Sequence, residues 1–136
     1  MKVRNGFVTN SSSSNFVIAY KSDSSVPIKA FPKMVKYILE STGKYHQTEK
    51  AEIIRNIDSY NEYFLDRYGY SNDQTIQDII NEDNRLQGIY DSAIDYLNAG
   101  YIIVAKRVDN WDENISGLIR EMNDDYNFII LEDDEY

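Results

Sequence analysis

The chain of 136 residues has no cysteine and a single histidine, His46. Disulfide scaffolds, thiolate zinc sites and cysteine nucleophiles are therefore excluded, as is any site that needs two histidines. Only two prolines and six glycines occur, too few for a Pro/Gly-rich disordered or collagenous chain. Long apolar runs are missing as well. Tyr101-Ile-Ile-Val-Ala105 stops at Lys106-Arg107, far short of the roughly 18 apolar residues of a membrane span. Lys2 and Arg4 are not followed by an apolar core, so no secretory signal is expected. The Asn-x-Ser patterns at Asn10 and Asn114 are discounted for the same reason. A cytoplasmic protein is the expectation.

What remains is a globular composition, 42% hydrophobic and 27% charged, in a length suited to one domain over residues 1–136. Net charge is −9 and unevenly spread. Residues 1–50 hold eight Lys and Arg against three Asp and Glu, a net +5; residues 51–136 hold six against twenty, a net −14. A field of that sign repels nucleic-acid phosphates and anionic lipid, and favours a protein partner with a basic surface. It also serves solubility without any partner.

Periodicity divides the chain into elements. A Ser-rich N-terminal segment (1–15) reads as loop, because serine hydroxyls compete with regular backbone pairing. Val3–Val8 is a short edge strand or an extended arm within it. Phe16–Tyr20 is an apolar run expected to be a buried strand. Pro32 suits a first helical turn, and Phe31, Met34, Val35, Ile38 and Leu39 follow at helical spacing with Gly43 as the stop. A second helix is expected from about Thr48 to Tyr68, with Ile53, Ile57, Tyr60, Phe64 and Tyr68 on one face. Ser71–Gln74 has the capping-box pattern for a third, running to Leu97 before Gly100. Asp83 falls in that stripe, where an unpaired carboxylate is costly, so a break near Glu82–Asn84 is expected.

Tyr101–Val108 then reads as a strand. Asn110–Glu113 reads as a second capping box, with Trp111, Ile115, Leu118 and Met122 along a helical face, and Tyr126–Leu131 as a last strand. Residues 132–136 are expected to be a short acidic solvated tail. The Asp109–Asp125 connection is long enough for a right-handed parallel crossover. The expected fold is α/β: a small three-stranded sheet, four-stranded if the N-terminal arm joins it. It has a C-terminal β-α-β unit and a helical stretch between the first and second core strands.

Catalytic and metal patterns are sparse. There is no glycine–lysine phosphate loop and no Gly-x-Ser-x-Gly elbow. His46 has only Glu49 near it in sequence as an orienting carboxylate. Asp109, Asp112 and Glu113 read as helix-start charges favoured by the helix dipole, or else as ligands of a hard cation, without EF-hand spacing. No cofactor, metal site or catalytic residue is assigned.

Ser11, Ser12, Ser13 and Ser14, with Arg4, make a hydroxyl-rich loop able to hold a phosphate or a peptide, or simply a solvated terminus. The run Arg4-Asn-Gly-Phe-Val-Thr-Asn-Ser-Ser-Ser-Ser-Asn-Phe16 resembles an N-terminal signature, Arg-x-Gly-Phe-Val-Ser-Asn-Ser-Ser-Ser-Ser-Ser-Phe. That signature opens many small, mostly uncharacterised proteins of bacteriophages and some bacteria. Thr9 and Asn15 depart mildly from it, and the likeness covers about residues 4–17. It implies a phage or prophage accessory protein and brings no biochemistry with it.

Twelve tyrosines stand against five phenylalanines and one tryptophan. Tyr63 and Tyr96 project away from their apolar stripes, and Tyr37 away from its own, as interface tyrosines would unless a second layer covers them. Lys33 and Lys36, with Lys2, Arg4 and Lys29, form a basic pole. Glu132, Asp133, Asp134 and Glu135 offer a contact for basic groups. The leading expectation is a small acidic phage-type accessory protein that binds a host or viral protein, as an inhibitor or by DNA mimicry. The alternatives are a nucleotide- or phosphate-handling enzyme using the Ser-rich loop, and a minor structural or assembly protein.

Overall fold

Two apolar strands organise the molecule. In a computed structural model, which describes residues 13–22, 25–27, 30–45 and 47–135, β1 spans Ser13–Tyr20 and β3 spans Ile102–Asp109. Each is buried on both faces because helices pack on both sides of the sheet, so neither shows clean polar–apolar alternation. Between them come α1 (Phe31–Glu40), β2 (Glu52–Ile54), α2 (Ile57–Tyr68), α3 (Ile76–Glu82) and α4 (Arg85–Asn98). After β3 follow α5 (Glu113–Met122) and β4 (Phe128–Glu135). Arg4, Ser11, Ser12, Lys2, Lys29, His46 and the arm Val3–Val8 lie outside the described residues, as does the side chain of Glu135.

The sheet has the order β2-β3-β1-β4, and every neighbouring pair is antiparallel. The mixed α/β class follows the sequence expectation. The order of the strands does not follow from the sequence. The strand–helix–strand unit is present, but β1 lies between β3 and β4 and pairs with both. Those two strands thus run in the same direction without touching. The fourth strand comes from Glu52–Ile54, inside the stretch expected to be helix from Thr48; the helix begins only at Ile57.

Helices cover both faces. On one, α1 and α5 pack Phe31, Val35, Ile38, Ile115, Ile119 and Met122 against Phe16, Ile18, Val104, Val108 and Phe128. On the other, α2, α3 and α4 pack Tyr60, Phe64, Ile79, Ile80, Leu86 and Ala93 against Val17, Ala19, Ile54 and Ile103. The break at Asp83 occurs as expected: Asp83 caps α3, and its carboxylate pairs with Arg85 at 2.7 Å. The capping box sits at Thr75 and Asp78, not at Ser71. β4 starts at Phe128 rather than Tyr126, because Asp124, Tyr126 and Asn127 take positive φ values of 70°, 44° and 62° in the preceding turn.

Two polar runs also join the sheet. Ser13 and Ser14 are buried strand residues opposite Asp109 and Val108. The acidic run Glu132–Glu135 is no tail but the second half of β4, with Glu132 opposite Val17 and Asp134 opposite Asn15.

Candidate binding surface at the N-terminal end of β1

Where β1 begins, β3 and β4 end, and the loop between α1 and β2 folds over the same end of the sheet. Glu49 N donates to Arg107 O at 3.1 Å, and Ala51 N to Leu39 O at 2.9 Å. From the α1/α5 face, buried Lys106 reaches the same loop and donates from Nζ to the carbonyls of Ser41 and Glu49. Burial lowers its ammonium to about 8, against the opposing pull of Asp112 and Glu49.

A second clip holds the loop to the β3–α5 corner. Thr48 Oγ1 accepts from Asp109 N at 2.8 Å and donates to Asp112 Oδ2, while Lys44 N donates to Asp112 Oδ1 at 3.1 Å. Burial works to raise the Asp112 carboxyl, but the bonds from Thr48 and the backbone of Lys44 and Tyr45 outweigh it and hold it below the ordinary value. Gly43, at φ +62°, makes room for this; a Cβ there would stand 2.3 Å from Asp112 Oδ2. The expected capping box at Asn110–Glu113 is thereby replaced. Asp112 occupies the N-cap position, yet its side chain serves the neighbouring loop and makes no cap hydrogen bond. Asp109 Oδ1 accepts from Trp111 N at 2.9 Å. Among the described residues no three His, Asp or Glu side chains gather as a metal site would require.

This corner turns Trp111 outward. It was expected on the apolar face of the last helix, but it precedes α5 and is 76% exposed. Tyr45, whose backbone Asp112 holds, is 42% exposed. Asn110 Oδ1 accepts a long hydrogen bond from Ser14 Oγ, 3.4 Å, which ties the start of β1 to the same corner.

Next to the corner on the α2 face lies a groove of about 380 Å³, floored by Asn15, Ala105 and Arg107 and walled by Tyr63, Asp66 and Arg67. Arg107 Nε donates to Ser13 Oγ at 3.1 Å, and its Nη1 stands 3.8 Å from Glu49. Asn15 Nδ2 is buried and has no hydrogen-bond partner among the described residues.

The acidic strand beyond the groove is clamped from both faces. Arg67 of α2 binds Asp134 at 2.9 Å and stands 3.5 Å from Glu132; Arg120 of α5 grips Asp133 through two bonds of 2.9 and 3.1 Å. Tyr68 Oη donates to Glu132 Oε1. Glu132 is only 6% exposed, and burial pushes its carboxyl up to about 7, with Asp134 adding to the rise and Arg67 opposing it. Its Oε2 and the buried Tyr60 hydroxyl have no hydrogen-bond partner among the described residues. Burial and the nearby Glu132 raise the Tyr60 phenol.

Of the sequence-predicted site residues that the structure describes, Ser13, Ser14, Tyr63 and the acidic run come to one end of the sheet, whereas Tyr96 does not. Glu132, Asp133 and Asp134 are engaged in the arginine clamps. Tyr63 is half-buried, stacks on Tyr60 at 6.0 Å and accepts from Arg67 Nη1 at 3.1 Å. Tyr96 is half-buried and packs edge-on against Tyr101 at 4.8 Å. The second layer covers both. Tyr37 does point outward, 51% exposed, with Lys33 and Lys36 exposed on the same helix. Sequence reasoning missed Thr48, Asn15, Arg107 and the outward Trp111. Lys106 and Arg107 at the end of an apolar strand were the one available signal, since alternation must send one of them to each face.

Compared with models of known protein families, with curated proteins and with solved structures, the chain matches none.

Proposed function

We propose that this is a non-enzymatic binding protein, a small acidic accessory factor of phage type. It engages a basic protein of host or viral origin in the cytoplasm. The observation that carries the reading is the exposure of Trp111, 76%, on a corner pinned by buried hydrogen bonds. Tryptophan and tyrosine dominate interface energetics because they bury much area at little entropic cost. An indole held outward by a fixed backbone loses less freedom on docking than one on a loose loop. The net charge of −9 supplies long-range attraction to a basic partner and speeds encounter.

DNA mimicry has less support. It needs carboxylates presented in a row, whereas Glu132 is buried and Asp133 and Asp134 are bound to arginines. The test is affinity capture from a lysate of the cell that carries the gene, with wild type and Trp111→Ala side by side at low and moderate salt. A basic protein retained by wild type at low salt, weakened by salt and lost with Trp111→Ala, supports the reading. Identical capture by both proteins, or no specific capture at low salt, overturns it. Trp111 has few contacts to lose, so the variant's stability should stay within about 0.5 kcal/mol of wild type.

A further inference from the structure

The groove beside the corner carries a second inference, independent of the aromatic surface. The sheet register sets Asn15 directly opposite Arg107. On the other side of Arg107, Glu49 N donates to its carbonyl at 3.1 Å, and Lys50 lines the same groove. An amide and a guanidinium therefore stand side by side at one end of the sheet, with Lys50 and Arg67 lining the same groove.

Two of these donors are incompletely used. Asn15 Nδ2 is buried without an acceptor among the described residues, a condition native proteins rarely tolerate without a role for the group. Arg107 is held by Ser13 through Nε, which fixes its plane. Its ion pair with Glu49 is long, 3.8 Å, and Glu49 is 62% exposed. That leaves the guanidinium charge only loosely compensated.

We propose that this groove binds a small ligand through an oxyanion, a carboxylate or phosphate, that accepts from Asn15 Nδ2 and the Arg107 guanidinium. Fork-shaped donation from arginine suits either group. The groove volume of about 380 Å³ fits a metabolite rather than a polymer. Glu49, Glu52 and Asp66 on the rim disfavour multiply charged anions, so a singly charged oxyanion binds best. Ser13, the third of the four serines, acts as the positioning residue for Arg107.

The experiment is a titration of the isotope-labelled full chain with sodium acetate and, separately, sodium phosphate at constant ionic strength, with sodium chloride as control. The signals followed are the Asn15 side-chain NH₂ and Arg107 Nε–H. Saturable shifts with acetate assign a carboxylate ligand, and with phosphate a phosphate ligand; either supports the site. In Asn15→Leu saturation should be lost while the melting temperature stays level or rises, since no hydrogen bond of Nδ2 is removed. Arg107→Gln should weaken binding at least about tenfold, the effect of losing one charge-assisted contact. Shifts that fail to saturate with both oxyanions, or that chloride reproduces, overturn the proposal. So does an Asn15→Leu protein that binds like wild type.

Discussion

The stability of this protein is expected to fall as pH rises through neutrality, on account of Glu132. Its carboxyl sits near 7 in the folded chain against an ordinary 4.5, chiefly because burial disfavours the charged form. Between those values the folded state holds a proton that the unfolded state has released, so each pH step upward favours unfolding. The stabilising protonated form is fully present below about 4.5 and is lost as pH passes about 7. At about 1.36 kcal/mol per decade, ionising this one buried group costs about 3 kcal/mol.

Glu132→Gln removes the titration while keeping an acceptor for Tyr68, and Arg67 keeps Asp134 at 2.9 Å. Urea unfolding at pH 5, 6, 7 and 8 should show wild type losing stability across that range relative to the variant. The variant should match wild type within about 0.5 kcal/mol at pH 5 and exceed it by about 2–3 kcal/mol at pH 8. A variant less stable than wild type at pH 8 would show that the Arg67 pair outweighs burial and would refute the reasoning. A wild type whose stability is level from pH 5 to 8 would refute it equally.

The clip between the α1–β2 loop and the β3–α5 corner is testable by two substitutions. Thr48→Val keeps the shape and removes two buried hydrogen bonds, leaving Asp109 N and Asp112 Oδ2 short of a partner; a loss of about 2–3 kcal/mol in chemical denaturation is expected. The Asp112 carboxyl, held below the ordinary value, supplies stability above its unfolded-state pKa that is lost as pH falls through the lower folded one. Thr48→Val should therefore also lessen the acid sensitivity of unfolding. Gly43→Ala meets Asp112 Oδ2 at 2.3 Å and adds strain at φ +62°. A loss of at least about 2 kcal/mol is expected, with weakened protection of the Lys44 and Tyr45 amides in hydrogen exchange.

Much of this fold is legible from local chemistry. Phe16–Ala19, the α1 stripe and the break at Asp83 each follow from a residue placed where only one conformation suits it. The failures have a shared cause. Ile53 lies at helical spacing from Ile57 and Tyr60, yet Glu52–Ile54 pairs with β3, and three residues are too few to display a strand period. Ser13, Ser14 and Glu132–Glu135 have poor strand propensity and are strand because β1 and its neighbours supply partners for their backbones. The site was less legible than the fold. Tyr63 and Tyr96 do leave their helix stripes, but a neighbouring tyrosine waits for each. Nothing local shows that Asp112 reaches back to Thr48, since that contact spans 64 positions.

The placement of β1 has a consequence for biogenesis. This strand is synthesised first of the four, but both of its partners lie beyond residue 101, and Ser13 meets Asp109 across 96 positions of chain. While the ribosome makes the intervening helices, Phe-Val-Ile-Ala has no strand to close upon. The nascent chain can seal its sheet only after β3 and β4 have been made, and contacts of such long range slow folding. An arrest of translation before β3 would release a polypeptide with a sticky, unpaired strand. Residues 51–101 hold ten Asp and Glu against three Lys and Arg, but with the basic first fifty residues the waiting intermediate nets only −2, so charge gives it little protection from self-association.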